Sequence, residues 1–158
     1  MRVIVTGATG NVGTAVLEQL RGTGVVDSIV GVARRKPERS YTGVEWVVAD
    51  IRTADLVSLF RGADAVVDLA WVFQPTRRPR DTWRTNVGGT GRVLAAVAAA
   101  GVPALVHASS VAAYSPATGD EPVDESPPKA GRGRPTRSRR PMWSGCWTCS
   151  NTNIRTAA

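Results

Sequence analysis

The chain opens with Val3-Ile4-Val5-Thr6-Gly7-Ala8-Thr9-Gly10-Asn11-Val12-Gly13, a short apolar run that passes into three glycines at positions 7, 10 and 13. No other stretch constrains the fold as strongly. A buried strand that ends in a glycine-rich turn and then opens a helix forms a cradle for a dinucleotide pyrophosphate. Gly7 allows the tight turn, Gly10 lets the backbone approach the phosphates, and Gly13 permits close helix–strand packing. The helix N-terminus, with Asn11 and Val12 at its start, offers free N–H groups to the anion. Residues 14–20 carry apolar side chains at helical spacing, so the glycines lie between strand and helix, as a cradle requires.

The pattern then repeats. Further apolar strands are expected at residues 28–33, 44–49, 63–70 and 102–108, with a short helix at 53–60 capped by Thr53. An arginine-rich loop at 74–80 precedes a long helix at 82–100, whose packing face would hold Val87, Gly91, Leu94, Ala95 and Ala98. Near-continuous apolar strands separated by helices imply a parallel sheet covered on both faces. The right-handed crossover rule makes this a doubly wound α/β fold of Rossmann type, with its ligand outside the carboxyl ends of the strands.

Charge divides the chain in two. Residues 1–126 hold 13 basic and 13 acidic side chains, whereas residues 127–158 hold seven basic ones and no acid. The net charge of +7 therefore belongs to the tail. That tail contains no Leu, Val or Phe, and it cannot bury enough surface to offset its ordering entropy. A nucleotide-binding domain over 1–126 and a disordered basic tail over 127–158 are expected. With no reader fold around it, the arginine-rich stretch 132–140 implies no specific nucleic acid. Cys146 and Cys149 have the spacing of a redox dithiol or half a zinc site, but no second ligand pair or surrounding fold accompanies them, and inert thiols with no metal are expected. The start of strand one almost at Met1, the lack of a long apolar run and the late cysteines point to a cytoplasmic protein away from membranes.

Together these motifs resemble the extended short-chain dehydrogenase/reductases, the NAD-dependent epimerase/dehydratase group. Thr6-Gly7-Ala8-Thr9-Gly10-Asn11-Val12-Gly13 is similar to their Thr-Gly-x-x-Gly-x-x-Gly fingerprint. Asp50-Ile51, Asp68-Leu69-Ala70, Asn86-Val87-Gly88-Gly89-Thr90, Ser109-Ser110 and Val123-Asp124-Glu125-Ser126 follow in the expected order. The resemblance implies that Asp50 bonds the adenine amino group, with the Ile51 backbone beside it, and that the Leu69 and Ala70 backbone passes the cofactor ribose. It implies that Asn86 helps hold the active-site helix, and that Ser110 is the catalytic hydroxyl that polarises the substrate oxygen. Asp68 stands where family members usually carry His. The substrate would be a small molecule with a carbonyl or hydroxyl carbon, such as a nucleotide sugar, and homodimers would pair through the helix at 82–100. The end of strand two carries Arg34 and Arg35 and no carboxylate, which favours the 2′-phosphate of NADP over the free hydroxyl of NAD.

The same resemblance calls for a Tyr-x-x-x-Lys pair as general acid/base and its partner. The chain has no tyrosine after Tyr114, and Lys129 is its only lysine beyond Lys36. The genetic code suggests a cause. Met142-Trp143 fixes the bases ATGTGG, so the triplet formed by the last base of the Met codon and the first two of the Trp codon encodes valine. In that frame Cys146-Trp147 must yield leucine and Trp147-Thr148 aspartate. With permitted codons elsewhere, residues 141–156 become Asp-Val-Glu-Arg-Leu-Leu-Asp-Leu-Leu-Glu-His-Glu-His-Pro-Asp, an amphipathic helix pattern. The Pro135-Thr136 junction then admits Tyr and the Arg139-Arg140 junction Lys, four residues on. A frameshifted reductase, with the shift between Ser126 and Pro135, is the expectation. A catalytically silent dinucleotide-binding sensor is the alternative.

Overall fold

The computed structural model describes residues 1–38, 41–72 and 79–109. Five parallel strands form one sheet in the order β3-β2-β1-β4-β5: β1 Arg2–Thr6, β2 Ser28–Ala33, β3 Val44–Val48, β4 Ala65–Asp68 and β5 Ala104–His107. After β3 the chain crosses to the other side of β1, so the topological switch point lies between β1 and β4. In open parallel sheets that crevice is where ligands bind. The Rossmann-type doubly wound expectation is met.

Alternation along β1 divides its side chains between two cores. Ile4 joins Val30, Val32, Val66 and Leu105 beneath α2 (Leu56–Phe60) and the α4 helix (Thr90–Ala99). Val3 and Val5 pack on the opposite face with Ala8, Ile29 and Leu17 of α1 (Asn11–Gly22). Leu17, at zero exposure, is the central contact of α1, with Val16 and Leu20 beside it at helical spacing.

Two expected elements differ in detail. The short helix begins at Leu56, and its N-cap is Asp55, whose carboxylate accepts from the Ser58 N–H at 3.1 Å. Thr53 instead sits in a turn, its N–H bonded to the Asp50 carbonyl. An aspartate aligned with the first free N–H groups displaces the threonine from that role. The expected long helix is three segments: α3 Pro79–Trp83, a π-helical turn Arg84–Gly89, and α4. The wider turn rotates the following face, so Thr85, Asn86, Gly89, Thr90, Val93, Ala96 and Val97 are buried, while Gly91, Ala95 and Ala98 are exposed. Of the expected packing face, only Val87 and Leu94 are partly covered.

Ser110, the acidic segment 123–126 and the tail with its cysteine pair lie outside the described residues. No helix among the described residues is long and apolar enough to cross a membrane.

Candidate dinucleotide site

The carboxyl ends of β1, β2, β3 and β4 converge on a cavity of about 220 Å³. Gly7, Gly10, Arg34, Asp50, Ile51, Leu69 and Ala70 line it, all of them expected site residues. Thr9, Val32, Ala33, Ala49, Trp71, Val72 and Thr85 also line it, and none of these was an expected site residue.

Gly7 has φ of +66°, the left-handed region, and a Cβ there would lie 2.6 Å from the Leu69 carbonyl oxygen. The turn after β1 is therefore pressed against the backbone that leaves β4, which only glycine permits. Gly13 is equally constrained: a Cβ would stand 2.5 Å from the Gly7 carbonyl oxygen. The close helix–turn packing expected of Gly13 is present. Asn11 and Val12 begin α1 with exposed side chains, and Val12 is 63% exposed. Their backbone N–H groups belong to the first turn, which has neither a side-chain cap nor an acidic residue. That uncapped, uncompensated positive helix end fits a pyrophosphate.

On the β2–β3 side of the cavity, Asp50 follows β3 and Arg34 follows β2. The Asp50 carboxylate takes a fork from Arg52: Nε lies 3.0 Å from both oxygens and Nη2 lies 2.6 Å from Oδ2. The Arg52 backbone N–H adds a bond to Oδ1 at 2.9 Å. These bonds hold the Asp50 carboxyl below the usual carboxylate range, with a smaller contribution from the charge of Arg34. Arg92 of α4 fixes the turn from behind, donating to the Ile51 carbonyl at 3.1 Å and the Ala54 carbonyl at 2.5 Å. Ile51 itself is buried in the core. Arg35 is exposed and does not line the cavity.

Asn86 is placed behind the wall. Its side-chain amide spans the Val72 backbone, accepting from the N–H at 2.8 Å and donating to the carbonyl at 3.0 Å. It anchors the segment leaving β4 to the π-helical turn, which places Thr85 at the cavity. Asp68 is 1% exposed. The Thr6 hydroxyl donates to its Oδ1 at 2.5 Å, and His107 Nδ1 lies 2.9 Å from its Oδ2. The three residues are aligned across β1, β4 and β5, so this carboxylate ties the ends of three strands together.

Residues 3–138 match the model of the NAD dependent epimerase/dehydratase family. An uncharacterized protein of Mycobacterium tuberculosis is 38% identical over 111 residues, 70% of this chain and 12% of that protein. The L-arabinose 1-dehydrogenase (NAD(P)(+)) of Haloferax volcanii is 36% identical over 110 residues, 69% of this chain and 41% of the enzyme. Among solved structures, the UDP-glucose-4-epimerase of Stenotrophomonas maltophila with bound NAD and formylated UDP-arabinopyranose superposes with a TM-score of 0.68 at 27% identity. That superposition covers 80% of this chain and 42% of the epimerase. The chain thus spans well under half the length of these relatives. Its glycine turn, its sheet order and this match together place it in the NAD dependent epimerase/dehydratase family.

Proposed function

We propose that the cavity holds a nicotinamide dinucleotide, NADP(H) in preference to NAD(H), for oxidoreduction or epimerisation at a carbonyl or hydroxyl carbon of a small molecule. The carrying observation is the uncapped α1 N-terminus behind Gly7 and Gly10, opening on a cavity whose other walls are Arg34, Asp50, Leu69 and Ala70. The α1 N–H groups and the glycine turn bind the pyrophosphate. Arg34 pairs a phosphate on the adenosine ribose, and the Leu69–Ala70 backbone orients the second ribose. The nicotinamide supplies hydride acceptance or donation when bound. Ser110 is the proposed hydroxyl that polarises the substrate oxygen, and nucleotide sugars are the proposed substrate class, in line with the ligand of the Stenotrophomonas epimerase structure. A cytoplasmic protein that pairs with a second copy through the helical segment after residue 79 completes the proposal.

Calorimetric titration of the full chain with NADP and NAD tests the core of it. Micromolar binding with NADP the tighter ligand is expected; absence of binding by both at millimolar concentration overturns it.

One observation favours a second reading. The sequence holds no Tyr-x-x-x-Lys pair, so the chain as written would bind its dinucleotide without turnover, as a sensor does. Binding without any change in nicotinamide absorbance across a panel of nucleotide sugars and aldehydes supports it, and turnover of one of them refutes it. The proposed origin of the missing pair, a frameshift between Ser126 and Pro135, is tested by sequencing the gene across codons 120–160. Stop codons in the other frame within or just beyond the tail refute it.

A further inference from the structure

The Asp50–Arg52 pair has an effect beyond local structure. A carboxylate has about four lone-pair sites, and Arg52 directs its backbone N–H, its Nε and its Nη2 at the Asp50 oxygens. The pair is only part-exposed, 28% for the Arg52 side chain and 22% for that of Asp50. Little of the carboxylate is left to accept from an adenine amino group. Its charge is also matched by an adjacent guanidinium, in the bidentate geometry that binds most strongly. Asp81 adds a weaker attraction to Arg52. Arg92 also tethers the Asp50 turn, donating to the Ile51 and Ala54 carbonyls.

Arg34 is the other cation that acts on Asp50, and it lines the cavity. Among the described residues it forms no ion pair. Without Arg52, the bare Asp50 carboxylate would draw Arg34 to itself and repel any phosphate placed between them. With Arg52 in the fork, the charge of Arg34 stays available.

We infer that Arg52 is a specificity-determining residue: by engaging Asp50 it leaves Arg34 uncompensated, and recognition of the adenosine end shifts from the base to a phosphate on the ribose. This rests on the proposed dinucleotide site, and it assigns a role to a side chain that need not touch the ligand. Its signature is a ratio of affinities.

The experiment titrates the full chain with adenosine 2′,5′-bisphosphate and with 5′-AMP, at low and moderate salt. The wild type should prefer the bisphosphate by about tenfold or more, less so as salt screens the charges. Arg34→Ala should bring the ratio near one. Arg52→Ala should lower it by about fivefold to tenfold, and adding Asp50→Asn to that variant should restore it to within about twofold of wild type. Arg52→Lys keeps the charge without the fork and should hold the ratio within about twofold, which separates electrostatics from misfolding if the alanine variant is unstable. A wild-type ratio near one sinks the NADP preference itself. A selective wild type that loses selectivity in Arg34→Ala but keeps it in Arg52→Ala, or an Asp50→Asn change that restores nothing, overturns the role of Arg52 alone.

Discussion

Replacing Gly13 by Ala sets two known effects against each other in the first turn of α1. A Cβ at this position would stand 2.5 Å from the Gly7 carbonyl oxygen and 2.8 and 2.9 Å from Ala8 Cα and C, all backbone atoms. Non-bonded heavy atoms settle near 3.5 Å, so the helix must withdraw from the turn by about 1 Å. Overpacking of this kind costs about 1–3 kcal/mol. Alanine in a helix recovers about 1 kcal/mol relative to glycine. The clash therefore cancels or outweighs the helix gain, and Gly13→Ala should lose about 0–2 kcal/mol net. The atoms that must move shape the proposed phosphate cradle, so dinucleotide affinity should fall as well, by about tenfold if 1.4 kcal/mol of it is lost. Gly22 supplies the control in the same helix: its Cβ would meet nothing within 4 Å. Gly22→Ala should stabilise by about 0.4–1 kcal/mol and leave affinity unchanged. Urea unfolding followed by tryptophan fluorescence, with calorimetric titration of NADP, reads both effects. A Gly13→Ala protein as stable as wild type and equally tight for NADP would refute the close contact between helix and turn.

Asn86→Ala removes both bonds to the Val72 backbone and should cost about 1–3 kcal/mol, with faster hydrogen exchange at the Val72 amide. Asp68→Ala removes the buried acceptor of the Thr6 hydroxyl and the carboxylate contact of His107 Nδ1 and should destabilise by about 1–3 kcal/mol. Because His107 is the single histidine of the sequence, its imidazole NMR signals should shift in that variant, and unmoved signals would exclude the contact. Arg52 holds the Asp50 carboxyl below its ordinary value. A depressed folded-state pKa contributes stability above the unfolded value, and that stability is lost as pH falls through the folded one. Stability should accordingly drop below about pH 4, and Asp50→Asn should flatten part of that drop in urea titrations. Asp27, paired with the N-terminal ammonium, and Asp55, accepting from the Ser58 N–H, are also held low and should add a smaller, solvent-screened part to the same drop.

How far the sequence disclosed this arrangement depended on whether an interaction is local. The strand at 28–33 and the glycine turn are local features, set by apolar runs and by φ, and both were legible with close bounds. The π-helical turn was not. It inserts no unusual residue type, and the period of the apolar pattern over 82–100 gave no sign of a widened turn. Its cause is tertiary: Gly89 packs against Ile51, where a Cβ would lie 2.6 Å from Ile51 Cδ1, and Asn86 must reach the Val72 backbone. Arg52 was missed for a related reason. It follows Asp50 by two residues, a spacing that brings side chains together in a tight turn but on no regular helix face. Only the bonds from the Thr53 and Ala54 N–H groups to the Asp50 carbonyl create that turn.

Asp68 shows how a buried carboxyl group at a strand end is accommodated. A carboxylate at the end of a central parallel strand would ordinarily be an expensive buried charge. Here β1 and β5 place Thr6 and His107 beside it in register, so donors are supplied by neighbouring strand ends and not by the segment that carries the carboxylate. Backbone bonds run along the same line: the Leu69 N–H donates to the Thr6 carbonyl and the Ala108 N–H to the Asp68 carbonyl. The side-chain cluster and these bonds fix the exits of β4 and β5 relative to the Gly7 turn. A substitution that loosens Asp68 should therefore disturb the Leu69–Ala70 wall and the Ala108–Ser109 exit together. If amide exchange rises at only one of the two, the cluster does not couple them.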